Sequence, residues 1–281
     1  MQLGHFSLRS VSGGQFRLDG GAMFGVVPKP LWSQAAAPDE WNRIPLETNC
    51  LLIESPGILA LCDTGFGTKL PEKEKAHLDA THSRSLTENL QALNISPASI
   101  THVIFSHLHF DHAGGATTRN SAGQLELCFP NAVHVFQEQE IADATENLQE
   151  LEGNYHLDEM IFLRENANSR VVQGDSELLP GLQVAQTGGH TAGHQTIWIK
   201  TETQNGVYLG DLCPTAAHLN VFWTMAYDTC QIDVRRKKFK LLNQIAQEQT
   251  LLFFDHDPQI RAATIKPRNA KSFEIDQVYE L

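Results

Sequence analysis

Much of what assigns a chain to a broad functional class is missing here. The five cysteines, Cys50, Cys62, Cys128, Cys213 and Cys230, are scattered, odd in number and without a CxxC pair. That excludes the spacing of a disulfide framework or a thiolate zinc site and leaves free thiols in a reducing compartment. No apolar run approaches the roughly 20 residues that a membrane helix needs. The opening MQLGHFSLRSVSGGQF has no basic stretch followed by an apolar core, so no secretory signal is visible. A cytoplasmic protein with no membrane partner is expected. Basic charge is scarce: 21 Lys and Arg stand against 33 Asp and Glu, for a formal net charge of -12. Binding a polyanion needs clustered cations, so no nucleic-acid partner is expected. The one compact basic run, Arg235 to Lys238, reads as the solvated face of a helix. Repeats, low-complexity segments and long linkers are absent, and the 281 residues are expected to form one domain. There is no Ser or Cys nucleophile motif.

What is present is a mixture of hairpins and helices. Residues 13 to 48, rich in Gly, Pro and Trp, read as a long irregular excursion. Asn49 to Glu54 and Ile58 to Cys62 are apolar runs around a Ser-Pro-Gly turn and predict a strand pair. Ser85-Leu-Thr-Glu88 reads as a capping box opening a helix over Leu86 to Leu93. Thr101 to Ser106 is rich in strand formers. Ala132 to Gln137 predicts a strand followed by helix to about Gln149. Val171-Val172 and Leu182 to Ala185 predict further strands. Thr196 to Lys200 with Val207 to Leu209 predicts a hairpin, Ile232 to Gln247 a helix and Thr250 to Phe254 a final short strand. The fold class expected is α+β, in layers, with a site at one rim of the sheets.

The strongest signal is Ser106-His-Leu-His-Phe-Asp-His-Ala-Gly-Gly115. It puts His107, His109, Asp111 and His112 within six positions at the end of a strand. Neutral imidazole and carboxylate are the ligands that borderline divalent metals prefer. Four such groups crowd one ion but suit two ions about 3.5–4 Å apart. His190 in TGGHTAGH, Asp211 at the end of VYLGD and His256 in FFDHD are further candidate ligands delivered by strand ends.

HLHFDH, TGGHTAGH, LGD and FFDH, in that order and preceded by LALCDTGFG, resemble the metallo-β-lactamase superfamily. The resemblance runs from about residue 49 to 257 and implies an αββα sandwich with two metals at the open edge of its sheets. Leu18 to Trp32, Gly210 to His218 and Trp223 to Asp228 look like the quorum-quenching, YtnP-like branch that opens N-acyl homoserine lactones. By that resemblance His107, His109 and His190 hold a first metal, Asp111, His112 and His256 a second, and Asp211 bridges them. Zinc is the expected ion, although the same ligands tolerate manganese, cobalt or iron. Asp63 is expected to orient a ligand imidazole and His194 to support the ligands without joining them.

The reaction implied is attack on the lactone carbonyl by a hydroxide bridging the two cations, with Asp111 or Asp211 shuttling the proton. Many related lactonases have a Tyr three residues after the bridging Asp. Here that position is Pro214, and His218 is the candidate replacement donor. An acyl chain needs an apolar trough, for which Met23, Phe24, Trp32, Phe66, Phe110, Phe222, Trp223 and Met225 are candidates. The apolar stretch from residue 22 to 32 also predicts a self-association surface, hence a homodimer. Organophosphate triester hydrolysis is the nearest alternative activity. An iron-dependent persulfide dioxygenase would leave Asp111, His112 and His256 idle.

Overall fold

The computed structural model describes residues 1–80, 83–146, 148–151 and 153–281. Two seven-stranded sheets lie face to face. In spatial order the first holds Gln2–Leu3, Phe6–Asp19, Arg43–Ser55, Ile58–Cys62, His102–Ile104, Val133–Gln137 and Asn168–Val172. The second holds Ser176–Leu179, Leu182–Gln186, Gln195–Ile199, Gly206–Tyr208, Leu251–Phe253, Ala262–Asn269 and Ser272–Tyr279. The first is antiparallel through Ile58–Cys62 and parallel beyond it. In the second, only Gly206–Tyr208 and Leu251–Phe253 run parallel, and the 18-residue helix Gln231–Glu248 makes the crossover between them.

Side-chain alternation explains the layers, because successive strand residues face opposite ways. Leu51 and Ile53 enter the core between the sheets, whereas Cys50 and Leu52 turn outward under helices. Ile197 and Ile199 likewise face inward, and Trp198 turns out toward the Gln231–Glu248 helix. Helices thus cover both outer faces, which is the αββα arrangement expected. The Ser85–Glu88 capping box is formed at helix Leu86–Ala92.

Several boundaries differ from the sequence reading. The excursion assigned to residues 13 to 48 is strand at both ends: Phe6–Asp19 pairs with Arg43–Ser55 from Ser7↔Glu54 to Asp19↔Arg43. A register shift between Ser12 and Gln15, at Gly13-Gly14, interrupts the alternation that would have marked it. Only Gly20 to Asn42 departs from the sheet, through the short helices Gly20–Phe24 and Lys29–Trp32. The helix expected to reach Gln149 ends at Thr145, and Asn147 lies outside the described residues. Lys238 is not on a solvated face: it is buried, and its ammonium donates to the Trp223 carbonyl. Among the described residues no helix is long and apolar enough to cross a membrane.

His134, buried on strand Val133–Gln137, gives the fold an acid-sensitive point away from the rim. Burial pushes its imidazole from 6.5 down to about 4, against a smaller opposing pull from the backbone at Ala132 and Asn168. Between those values the unfolded chain binds the extra proton, so stability falls as pH drops through this window. Above pH 6.5 the contribution is fully present. The loss is on the order of 3 kcal/mol. Urea midpoints measured from pH 7 to 4 should fall less steeply for His134→Leu than for the wild type.

Candidate metal centre and substrate cavity

Every ligand candidate sits where a strand ends. The segment Ser106 to Gly115 leaves strand His102–Ile104 and turns into the short helix Phe110–Ala113. His190 lies in the loop between Leu182–Gln186 and Gln195–Ile199, and Asp211 in the turn Gly210–Leu212 after Gly206–Tyr208. His256 follows Leu251–Phe253. These strands are central in both sheets, so their ends converge on one rim. Glycine makes the closest approaches feasible: a Cβ on Gly115 would stand 2.0 Å from the Thr64 carbonyl oxygen.

The ligand atoms gather into two sets, each with mutual distances within 4.8 Å: His107, His109, His190 and Asp211, then His112, Asp211, Asp255 and His256. Asp211 belongs to both. Its Oδ2 is 3.0 Å from His190 Nε2 and 3.7 Å from both His107 Nε2 and His112 Nε2. Its Oδ1 is 3.3 Å from His256 Nε2. Asp111 faces the second set, 3.5 Å from His256 Nε2 and 3.9 Å from His112 Nε2. All of these side chains are buried.

His190 Nδ1 lies 2.9 Å from Asp228 Oδ1, and His112 Nδ1 lies 2.9 Å from Asp63 Oδ2. His256 Nδ1 lies 2.9 Å from the Glu47 carbonyl oxygen. Each Nδ1 therefore donates, and in the neutral ring Nε2 is left with the lone pair that a metal takes. Yet His190 Nε2 is 3.0 Å from His109 Nδ1, and His256 Nε2 is 3.1 Å from His112 Nε2. Nitrogens this close share a cation, a proton in the metal-free chain or a metal ion in the loaded one. His107 Nε2 and Asp211 Oδ1 are also buried without a hydrogen-bond partner, a cost that metal ligation would remove. The donor set fits two divalent metals.

Charge is distributed to match. Burial and the neighbouring imidazoles hold His107 and His109 well below the usual histidine range. Burial opposes charge on His190 too, but Asp211 and Asp228 outweigh it and push the group up to about 10. At His256 burial is likewise overcome, by Asp255 and Asp211, and the group rises to about 9. Metal must displace protons from these two rings, so loading weakens as pH falls.

The supporting residues hold the rings from behind. Asp63, at φ 57°, accepts from Ser106 N and Ser106 Oγ, both at 2.7 Å, as well as from His112. His194 turns its Nδ1 to Thr187 Oγ1 at 2.6 Å, and burial keeps it neutral by pushing it down to about 3. Asp228, Glu140 and Asp255 escaped the sequence reading. Glu140 ties two ligand loops together by accepting from Leu108 N at 2.9 Å and from Thr191 Oγ1 at 2.5 Å. Nothing local in the sequence marks Glu140, and Asp228 was signalled only as the end of the Trp223 to Asp228 stretch. Asp255 carried one faint signal, its place beside His256.

A cavity of about 110 Å³ opens onto both ligand sets. Met23, Phe110 and Met225 line it as expected, joined by Leu18, Asn154 and Tyr227. The other expected pocket residues are placed elsewhere. Phe24 stacks on Trp32, with ring centroids 5.4 Å apart, and both are buried in the cluster that also takes Phe66. Trp223 packs edge-on against Phe24, and Phe222 is exposed. His218 does not reach the cavity. Its Nδ1 meets Thr215 Oγ1 at 2.8 Å and its Nε2 the Met23 carbonyl oxygen at 2.9 Å. Stacked on Phe24, it holds the wall segment rather than facing a substrate. In the stretch from 22 to 32, Met23, Phe24 and Trp32 are buried against their own chain, while Val26 and Leu31 are exposed.

Fold, rim and ligand sets together define a metal-dependent hydrolase. The Metallo-beta-lactamase superfamily pattern matches residues 43–267, and the chain belongs to that superfamily. An N-acyl homoserine lactonase of Bacillus cereus is 28% identical over 228 residues, covering 77% of this chain and 83% of that protein. The crystal structure of a probable metal-dependent hydrolase from Staphylococcus aureus superposes with a TM-score of 0.89 at 31% identity, over 100% of this chain and 99% of that one. AidC, a dizinc quorum-quenching lactonase in complex with a product, N-hexanoyl-L-homoserine, gives 0.81 at 20% identity, over 100% and 97%. At that identity the likeness speaks for the fold.

Proposed function

We propose that the protein hydrolyses the ring ester of N-acyl homoserine lactones, using two divalent cations held by His107, His109, His190 and Asp211 and by Asp111, His112, Asp211 and His256. The observation that carries this reading is the cavity beside the two ligand sets. Its wall is apolar at Leu18, Met23, Phe110 and Met225, and its neutral polar groups are Asn154 and Tyr227. Among the described residues lining it there is no Lys or Arg, which suits an uncharged ester with an apolar tail better than an anionic substrate. The lactonase relative supports the same substrate class.

Bound in these sets, two cations supply a hydroxide nucleophile at neutral pH and polarise an ester carbonyl. Zinc suits the imidazole-rich first set. The protein's own residues do the rest. Asp211 spans the two sets and fixes their spacing. The apolar wall holds the acyl chain and excludes water from it. Tyr227 takes the role expected of His218: burial, then Asp111, Asp19 and Asp211, push its phenol up to about 12. It therefore stays protonated and can donate to the carbonyl oxygen as negative charge builds there. Asp111, lining the cavity, takes the proton of the water-derived oxygen that has added to the carbonyl and passes it to the leaving ring oxygen as the acyl C–O bond breaks. One water is consumed and an N-acyl homoserine is released.

The test combines metal analysis with pH-stat turnover of a long-chain homoserine lactone. Two ions per chain with ring opening are expected. Two ions with no ring opening would reject the lactone assignment and turn attention to aryl phosphotriesters.

A further inference from the structure

Asp255 has no part in the reaction described above, yet it is buried with no hydrogen-bond donor to its carboxylate. It follows strand Leu251–Phe253 by two residues and directly precedes His256. The residue is 1% exposed, and neither carboxylate oxygen has a hydrogen-bond partner. Behind it lies a recess lined by Thr48, Cys50, Asp63 and Tyr208, with no room for a water molecule. No Lys or Arg is among the described residues lining that recess. The one phenol there, Tyr208, gives its hydroxyl to Asp63 Oδ2 at 3.1 Å. A buried carboxylate with no hydrogen-bond donor, faced by the His256 imidazole at 3.8 Å, is disfavoured unless a cation binds beside it.

The unpartnered group points at the second ligand set. An Asp255 oxygen is within 4.8 Å of ligand atoms on His112, Asp211 and His256, and Oδ2 is 3.8 Å from His256 Nε2. Ligands about 2.0–2.2 Å from one ion stand roughly 2.8–4.4 Å apart, a spacing that the 3.8 Å separation meets. We propose that Asp255 is a direct ligand of the cation held by His112, Asp211 and His256, and that it makes this position carboxylate-rich enough to hold ions of the manganese class. With Asp111 and Asp211 facing the same point, three carboxylates and two imidazoles surround the second position. The first has one carboxylate and three imidazoles. Oxygen ligands suit manganese, whereas imidazole and thiolate suit zinc. The inference deepens the two-cation reading and does not depend on the substrate. A wild-type chain that takes two ions but opens no lactone would overturn the lactonase assignment and leave Asp255 as a ligand.

The test titrates metal-free, full-length protein with Mn²⁺, reading free ion by electron paramagnetic resonance, and with Zn²⁺ against a chromophoric chelator. The wild type should take two Mn²⁺ per chain. Asp255→Asn should keep the first position and bind the second Mn²⁺ at least about tenfold more weakly, with a smaller loss for Zn²⁺. Its metal-free form should melt no lower than the wild type, because no hydrogen bond is lost and a buried carboxylate is removed. Asp255→Cys, which substitutes a soft ligand, should recover Zn²⁺ at the second position but not Mn²⁺. Unchanged affinity at both positions in Asp255→Asn would overturn the proposal. So would a metal-free variant that melts lower and loses both positions equally, because that marks a bracing role.

Discussion

Asp211→Ala is expected to empty both metal positions together and to lower turnover by on the order of 10³-fold or more, beyond the 10- to 100-fold typical of losing a group that only supports a ligand. The reason is geometric. The Asp211 carboxylate lies 3.0 to 3.7 Å from the Nε2 atoms of His107, His112, His190 and His256. It is also the group that most raises His190 against burial. Without it the imidazoles lose the negative charge that makes a cation welcome, and the two sets lose their shared corner. His109→Ala, by contrast, removes a ligand from the first set alone, so metal analysis should separate the two variants. Stability should respond as well, since an ion that binds only the folded chain stabilises it by roughly 2.7 kcal/mol at a hundred times its dissociation constant. A chelator should lower the wild-type melting temperature and leave that of Asp211→Ala almost unmoved. A variant retaining one tightly bound ion and measurable turnover would show that Asp211 serves one position only.

The parts of the centre that were legible from sequence are those in which chemistry is local. His107, His109, Asp111 and His112 share a single loop and advertise themselves by spacing. His190, Asp211 and His256 are single residues at strand ends and gain meaning only beside that loop. The residues that orient them were not legible in the same way. Asp63 could be read because it ends an apolar run. Asp228 reaches His190 across 38 residues and the Glu47 carbonyl reaches His256 across 209, contacts that only the closed sandwich creates. The fold shows the same division. Apolar runs beside turn residues identified Ile58 to Cys62 and Leu182 to Ala185, but the Gly13-Gly14 shift concealed half of the long Phe6–Asp19 strand. The pocket was hardest to read, because a loop aromatic can turn either way. Phe24 stacks on both Trp32 and His218 to build the support beneath Met23, and the cavity is left to Met23, Phe110, Met225 and Tyr227.

That placement of Tyr227 gives the second large effect. Tyr227→Phe is expected to lower kcat by about 10²-fold, the scale of losing one donor to a developing oxyanion, with KM changed little and both metals retained. Tyr227 lines the cavity with Asp111 and Asp211, and 38% of its surface stays exposed, so removing one hydroxyl opens no void in the core. Those two carboxylates also keep the phenol protonated. A donor is worth most when negative charge forms on the carbonyl oxygen and little in the ground state, which is why the loss should appear in kcat. His218 supplies the contrast. Both its nitrogens are engaged in holding Thr215 and Met23, so His218→Ala should loosen the wall and raise KM for long acyl chains more than it lowers kcat. If Tyr227→Phe turned over lactone at the wild-type rate while His218→Ala lost kcat at constant KM, the donor would have to be reassigned to His218, and the Met23 segment would have to move aside when substrate binds.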